Sequence, residues 1–283
     1  MEYNTMAYPY DLVAIDVDGT LVNSENRLTE GTKAAILDVL AHNIGVTLVS
    51  GRARLTMDPF VKELALTLPF ISSSGAHIID PVSNKTLYYS AMPTEVLSVI
   101  VQYAREAHAP IIFQESDRIF YEGSEEELHY LSEAYKIDIT VADEFKAHFI
   151  RADDILHAHI EPVKVYMCQD PAIVQGIEAK LKQHHLPIYM TYSAPPYLEI
   201  TSIHATKGEA IQRLAAQLNI DLKRILAIGD SRNDLSMFEV VGKRVAMGNA
   251  VPEVKAVADL IAPSNDQDGV AWTLRTIALQ EEQ

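Results

Sequence analysis

The sequence predicts an α/β fold: a parallel-sheet core interrupted by a smaller α+β insert. Three observations carry this expectation. Short apolar runs rich in β-branched residues recur, each bounded by Gly, Asp, Ser or Pro. Strand and helix patterns alternate at both ends of the chain. The middle breaks that alternation and carries a different charge. At 283 residues, 48% of them hydrophobic and 22% charged, the chain can bury a substantial core. Its length suits about two domains.

The first strand candidate is Leu12–Val17, short and apolar enough to be buried on both faces. A helix is expected over Thr29–Asn43, with an apolar stripe at Ala34, Ile36, Leu37, Leu40 and Ala41. Thr29 and Thr32 are candidate caps, and Gly45 lies just beyond the end. Val46–Val49 and Phe70–Ile71 follow as strands, so the opening reads as a βαβ unit. Near the other end come helix Lys207–Leu218, strand Arg224–Ile228 and helix Leu235–Val241. Between them the rhythm changes. Helical stretches at 94–108, 125–135 and 171–183 alternate with strand candidates at 111–114, 119–121, 162–168 and 188–191. Residues 85–190 are therefore expected to form an inserted α+β domain, and 1–84 with 191–283 the core. Charge agrees: the insert holds −8 in 106 residues, while the flanking pieces hold −8 in 177.

The whole chain has 23 Lys and Arg against 39 Asp and Glu, a net charge of −16. No basic block offsets this, which argues against a nucleic-acid backbone or an anionic membrane as partner. A single cysteine, Cys168, excludes an intramolecular disulfide and a cysteine-rich zinc site. The opening MEYNTMAYPY has no basic and apolar regions of a secretory signal, and no apolar run reaches the ~18 residues that span a bilayer. A soluble, cytoplasmic protein is the expectation.

Chemistry concentrates in four places. The first strand runs into Asp16-Val17-Asp18-Gly19-Thr20, where two carboxylates at a buried strand end demand a cation or a hydrogen-bond network. The carboxyl ends of strands are also where open α/β sheets bind ligands. The second strand ends in Ser50-Gly51-Arg52, whose hydroxyl and amide suit a phosphate oxygen. Lys207 opens a helix, a place where a cation forgoes favourable dipole energy. Gly229-Asp230-Ser231-Arg232-Asn233-Asp234 sets hard oxygen ligands on one loop, suited to Mg2+. Taken singly, the first two also read as ordinary turns, and Lys207 as a surface lysine.

Together and in this order, these elements resemble the haloacid-dehalogenase superfamily of phosphotransferases. The resemblance covers nearly the whole chain, and the insert between Ser50 and Lys207 is similar to that of the Cof-type branch with a large cap. Tyr197-Leu198-Glu199-Ile200, Met247-Gly248-Asn249-Ala250 and the stretch 264–271 add to it. The resemblance implies a doubly wound parallel-sheet core with an inserted α+β cap. It implies that Asp16 is the nucleophile, forming an aspartyl-phosphate, and that Asp18 is the general acid and base. Mg2+ would lie among Asp16, the backbone carbonyl of Asp18 and Asp230, with Asp234 in support. Ser50, the Gly51 amide, Lys207 and Asn233 would grip the phosphoryl oxygens. An acid at position 18 favours phosphate esters over phosphonates. The expected activity is hydrolysis of small phosphorylated metabolites, sugar phosphates foremost. A phosphomutase using the same intermediate and a catalytically silent phosphometabolite sensor are the alternatives. One departure stands out: the resembling proteins usually carry Asn before Gly-Ala after the third strand, where this chain has Ser74.

Other candidates read as structural. His157 with His159 on one strand face, and the adjacent His184 and His185, lack convergent ligands for a metal. Glu125-Glu126-Glu127 reads as a solvated helix start, Asn84-Lys85-Thr86 as a glycosylation pattern without consequence in the cytoplasm, and Cys168 as core. Tyr189, Tyr192 and Tyr197 read equally as core or as a cleft border. Neither substrate identity nor oligomeric state has a readable signature.

The net charge generates one prediction. An anionic substrate approaches an anionic protein, so at saturating Mg2+ the Michaelis constant should fall modestly from low to moderate salt as repulsion is screened. Michaelis constants measured along a salt series check this, and a steady rise with salt contradicts it.

Overall fold

The computed structural model describes residues 8–124, 149–152, 154–192 and 197–280, and all their side chains except those of Phe149 and Cys168. Two units emerge. One comprises Met1–Arg52, Thr56–Tyr88 and Thr206–Gln283, the other Ala53–Leu55 and Tyr89–Ala205.

The first unit is built on five parallel strands: β1 (Leu12–Ile15), β2 (Gly45–Leu48), β12 (Ile225–Gly229), β13 (Lys243–Ala246) and β14 (Leu260–Ile261). Their order is β14-β13-β12-β1-β2. β1 pairs on one side with β2 and on the other with β12, with Ile15 opposite both Leu48 and Ile228. All four β1 residues are fully buried, which is why the run tolerates only apolar side chains. Val49 bridges in parallel to Ile71, carrying the sheet to β3 (Phe70–Ser72). β3 then forms a small sheet with β4 (His77–Asp80) and β5 (Lys85–Tyr89). The order reverses between β1 and β12, because successive strands run outward from that pair in both directions. A crevice opens at such a switch point.

The helix after β1 spans Glu30–Ala41, and Thr29 caps it, its hydroxyl accepting the Thr32 N–H at 3.1 Å. Of the expected stripe, Ile36 is buried and Leu40 packs against the core, whereas Ala34, Leu37 and Ala41 are exposed, and Ala35 and Val39 complete the buried face instead. The sequence is apolar on both phases, and the neighbouring helix at Gly269–Thr273 and β2 decide which one faces in. The helix expected over 235–241 stops at Phe238, because the Gly242 N–H bonds to the Leu222 carbonyl and turns the chain toward β13.

The second unit holds a six-stranded sheet, β10-β11-β9-β6-β7-β8, from β6 (Ile111–Gln114), β7 (Ile119–Glu122), β8 (Phe149–Arg151), β9 (Lys164–Cys168), β10 (Ile188–Tyr192) and β11 (Tyr197–Ser202). It is antiparallel except where β8 joins β7. Helices Thr94–Glu106 and Pro171–Gln183 cover one face, burying Ile100, Val101, Ile177 and Leu181 against Phe113, Val165 and Leu198. The alternate positions Gln114, Lys164, Glu199 and Thr201 are buried and polar, with Lys164 and Glu199 ion-paired at 2.5 Å.

The unit boundaries differ from those read in the sequence. Residues 191–205 stay with the second unit, because β10 pairs with β11 and β11 with β9. Residues 85–88 stay with the first, where β5 completes the small sheet. The helix expected at 125–135, with its three glutamates, lies outside the described residues.

Candidate active site

Asp16 follows β1 directly, and its N–H bonds to the Ile228 carbonyl at 3.0 Å, so it stands at the switch point between β1 and β12. It is 3% exposed. The chain then turns sharply through Val17–Leu21, closed by Leu21 N–H to Asp16 O and Val22 N–H to Val17 O, both at 3.1 Å. Gly19 has φ +76°, and a Cβ there would lie 2.4 Å from Asp230 Oδ2. The glycine is required twice over, by backbone and by neighbour.

Lys207 is the first residue of its helix, which Thr206 caps by accepting the Glu209 N–H at 3.1 Å. Its side chain is fully buried, and Nζ donates to Asp16 Oδ1 and to Asp234 Oδ1, each at 2.6 Å. Asp234 Oδ2 accepts the N–H groups of Asp230 at 2.9 Å and Ser231 at 3.0 Å. Asp234 therefore has both oxygens committed, and serves as the anchor of the loop and of the lysine. Thr20 donates its hydroxyl to Asp230 Oδ1 at 3.3 Å. Burial acts to lower the Lys207 pKa, but Asp16 and Asp234 outweigh it and hold the pKa above the ordinary value. Asp16 is pushed well above the usual carboxylate range by burial, with Lys207 opposing and the other acids adding to the rise. Asp230 is raised to about 7, first by burial and then by Asp234.

The remaining candidates are placed around this centre. Ser50 follows Val49, whose N–H bonds to the Ile15 carbonyl at 2.9 Å, so Ser50 and Asp16 leave adjacent strands at the same end. Ser50 is fully buried, and its Oγ accepts the Arg52 N–H at 3.1 Å, spanning Gly51. Asn233 sits one residue before Asp234 with its Oδ1 on the Ser231 hydroxyl at 2.9 Å. Asp18 is different. Its side chain is 60% exposed, outside the carboxylate cluster, and both its oxygens rest on Arg52: Nε to Oδ2 at 2.9 Å and Nη2 to Oδ1 at 2.6 Å. Arg52 also donates to Asn26 and lies over the Phe60 ring at 5.2 Å. Its place after Ser50-Gly51 was visible in the sequence, but its tie to the acid was not.

Ser73 and Ser74 both adopt positive φ, +53° and +59°, as does Gly75 at +107°. The Ser74 N–H binds the Ser50 carbonyl at 2.9 Å, and the Ser73 N–H binds the Arg52 carbonyl at 2.8 Å. A Cβ on Gly75 would lie 2.2 Å from the Thr206 carbonyl. This strained turn thus fits between the Ser50 loop and the cap of the Lys207 helix. The left-handed conformation at Ser74 is one that Asn adopts readily, a backbone reason for the Asn that the resembling proteins usually carry there. Of the histidines, His157 lies in a short 3-10 turn rather than a strand, with Nδ1 on Asp154 at 2.7 Å, and His184 pairs with the Tyr103 hydroxyl at 2.6 Å.

Oxygens of Asp16, Asp230 and Asp234 lie within 4.8 Å of one another. Asp16 Oδ2 is buried without a hydrogen-bond partner. Three carboxylates against one ammonium leave two negative charges when all are ionised, the charge of one divalent cation. A hard divalent cation among these carboxylate oxygens is the group this donor set fits.

Comparison with known proteins agrees with this geometry. The sequence model of a family described as haloacid dehalogenase-like hydrolase matches residues 13–274. Phosphatase YwpJ of Bacillus subtilis strain 168 is 30% identical over 288 residues, covering 93% of this chain and 98% of the relative. The 5-amino-6-(5-phospho-D-ribitylamino)uracil phosphatase YwtE of the same organism is 30% identical over 279 residues, covering 92% and 95%. A solved haloacid dehalogenase-like hydrolase from Bacteroides thetaiotaomicron superposes with a TM-score of 0.82 at 29% identity, covering 94% of this chain and 98% of that one.

The raised carboxyl groups generate a prediction for stability. Between about pH 4 and pH 7 the folded protein retains a proton on Asp230 that the unfolded chain has already released, and Asp16, also raised by burial, acts in the same direction. Their contribution to stability therefore declines as pH rises through that window. A divalent cation offsets the exposed charge, so Mg2+ should raise the melting temperature more at about pH 8 than at about pH 5. Thermal denaturation with and without Mg2+ measures this, and an equal gain at both pH values contradicts it.

Proposed function

The chain belongs to the haloacid dehalogenase-like hydrolases, and from that membership we propose a Mg2+-dependent phosphatase acting on small phosphorylated metabolites through an aspartyl-phosphate. That it is a phosphoric monoester hydrolase follows from its named relatives. The observation that carries the finer reading is the division of labour on Asp16: Oδ1 is held by Lys207, while Oδ2 has no partner. A carboxylate fixed by one oxygen and unengaged at the other is oriented for attack.

In this reading the Asp16 carboxylate bonds to phosphorus as the ester oxygen departs, and Asp18 protonates that oxygen. Water then attacks the same phosphorus, giving its proton to Asp18. The bond to Asp16 breaks, and inorganic phosphate leaves. Lys207 holds Asp16 and supplies positive charge beside the phosphoryl group, with Ser50, the Gly51 amide and Asn233 as its further donors. Asp16, the Asp18 carbonyl and Asp230 would hold Mg2+, which supplies Lewis-acid charge to a phosphoryl oxygen. Because both Asp18 oxygens lie on Arg52, Asp18 must release that fork to reach a leaving group. Sugar phosphates are the leading substrate class. The name of the relative YwtE supports a phosphate carried on a polyol chain. Such esters are cytoplasmic metabolites, and the cytoplasm is the proposed setting.

Asp16→Asn should lower p-nitrophenyl phosphate hydrolysis with Mg2+ by at least about a thousandfold. The circular dichroism spectrum should be unchanged. Phosphate release measured without a bisphosphate activator separates hydrolysis from mutase action. Wild-type turnover by the variant would refute Asp16 as nucleophile.

A further inference from the structure

Two sequence phrases, 247–250 and 264–271, take no part in the chemistry above, yet both reach the segment that follows Asp16. Asn249 Nδ2 donates to the Gly19 carbonyl at 2.8 Å, and its Oδ1 accepts the Asn265 N–H at 3.0 Å. Asn265 Nδ2 donates to the Val22 carbonyl at 3.0 Å. Asp266 Oδ1 accepts the Ser24 N–H at 2.8 Å, and Asp268 Oδ1 accepts the Thr29 hydroxyl at 2.5 Å. The contacts run in parallel order along the two segments, so the later one acts as a strap on the earlier.

Asn249 is the strap residue that meets the Asp18–Gly19 turn. It is exposed, so its two bonds rather than packing define its role. Because Oδ1 is taken by an N–H, the amide can only donate toward Gly19, which fixes its orientation. The Asp230 carboxylate lies close beside Gly19, where a Cβ would come within 2.4 Å of its Oδ2, and the Val251 N–H returns to the Asp230 carbonyl at 2.9 Å. The Asp18–Gly19 turn is therefore bonded by Asn249 and bordered by Asp230.

We propose that Asn249 is a positioning residue for phosphate-ester hydrolysis, fixing the turn that carries the Asp18 side chain and the Asp18 backbone carbonyl. It thereby sets both the placement of the acid and the affinity of the site for its cation. The proposal rests on the phosphatase reading above, and its test does not depend on turnover alone.

In the full chain, Asn249→Ala should lower kcat for p-nitrophenyl phosphate roughly tenfold or more at saturating Mg2+, with KM changed less than about twofold. Without substrate, Mn2+ affinity, read from the free aqua ion by electron paramagnetic resonance, should weaken roughly threefold or more. Asn265→Ala keeps both Asn249 bonds and should change each quantity by less than about twofold. Asn249→Asp still accepts from Asn265 but cannot donate to Gly19, and should follow the alanine variant in kcat. Wild-type kcat and Mn2+ affinity in Asn249→Ala, or equal losses in Asn249→Ala and Asn265→Ala, would overturn the proposal. If the wild type does not hydrolyse the ester, the phosphatase reading fails, while Mn2+ affinity still decides the role of Asn249.

Discussion

The buried ammonium of Lys207 between Asp16 and Asp234 is the interaction on which the rest of the first unit depends. Removing one partner of a buried charge pair leaves the other unpaired, a loss of about 3–5 kcal/mol. Here one cation anchors two carboxylates that come from opposite ends of the chain. It leaves an excess of negative charge that burial makes costly, and the raised pKa of Asp16 expresses that cost. The protein can relieve it by taking up protons or by taking up a cation. A site poised between these two states is built to accept positive charge where an anionic substrate must be met.

The surrounding geometry serves that centre. Thr206 fixes the helix that delivers Lys207, and the Ser73–Gly75 turn closes against Thr206 while holding the Ser50 loop. Strain in that turn is maintained by two hydrogen bonds to carbonyls of the Ser50 loop and by the close approach of Gly75 to Thr206. Asp18 stands apart from this rigidity, exposed and held by a single arginine. Asp16 is immobilised by burial, whereas Asp18 has a polar, solvent-facing mooring on Arg52.

β1 was legible in the sequence because a short β-branched run ending in two aspartates has few other places to go. The order of Asp16, Ser50, Lys207 and Asp230 pointed to the site because each lies at a strand end or helix start. The return point of the insert was not legible. β10 and β11 mix Tyr, Thr and apolar residues, and such a pattern pairs equally well in either sheet until the partner strand is known. The exact phase of the Glu30–Ala41 helix was hidden because the exposed Ala34 and Leu37 match the buried Ala35 and Val39 in kind. The Arg52–Asp18 pair depends on side-chain directions 34 residues apart, and the Asn249 contact depends on a backbone carbonyl, which has no letter in the sequence.

The pairing of β1 with β12 also governs how the molecule comes into being. Leu12 lies against Ile225, and the whole second unit is encoded between them. During synthesis, β1 can dock on β2 early but exposes its other edge until more than two hundred further residues have emerged. Closing so long a loop makes this contact a late folding event. The buried carboxylate cluster is formed by the same closure, since Asp16 gains Lys207 and Asp230 only then. An incomplete chain therefore cannot assemble that cluster, and loss of the terminal third removes its lysine and much of the central sheet together. The insert, completed earlier and stabilised by its own core, can diversify in evolution without delaying that last step.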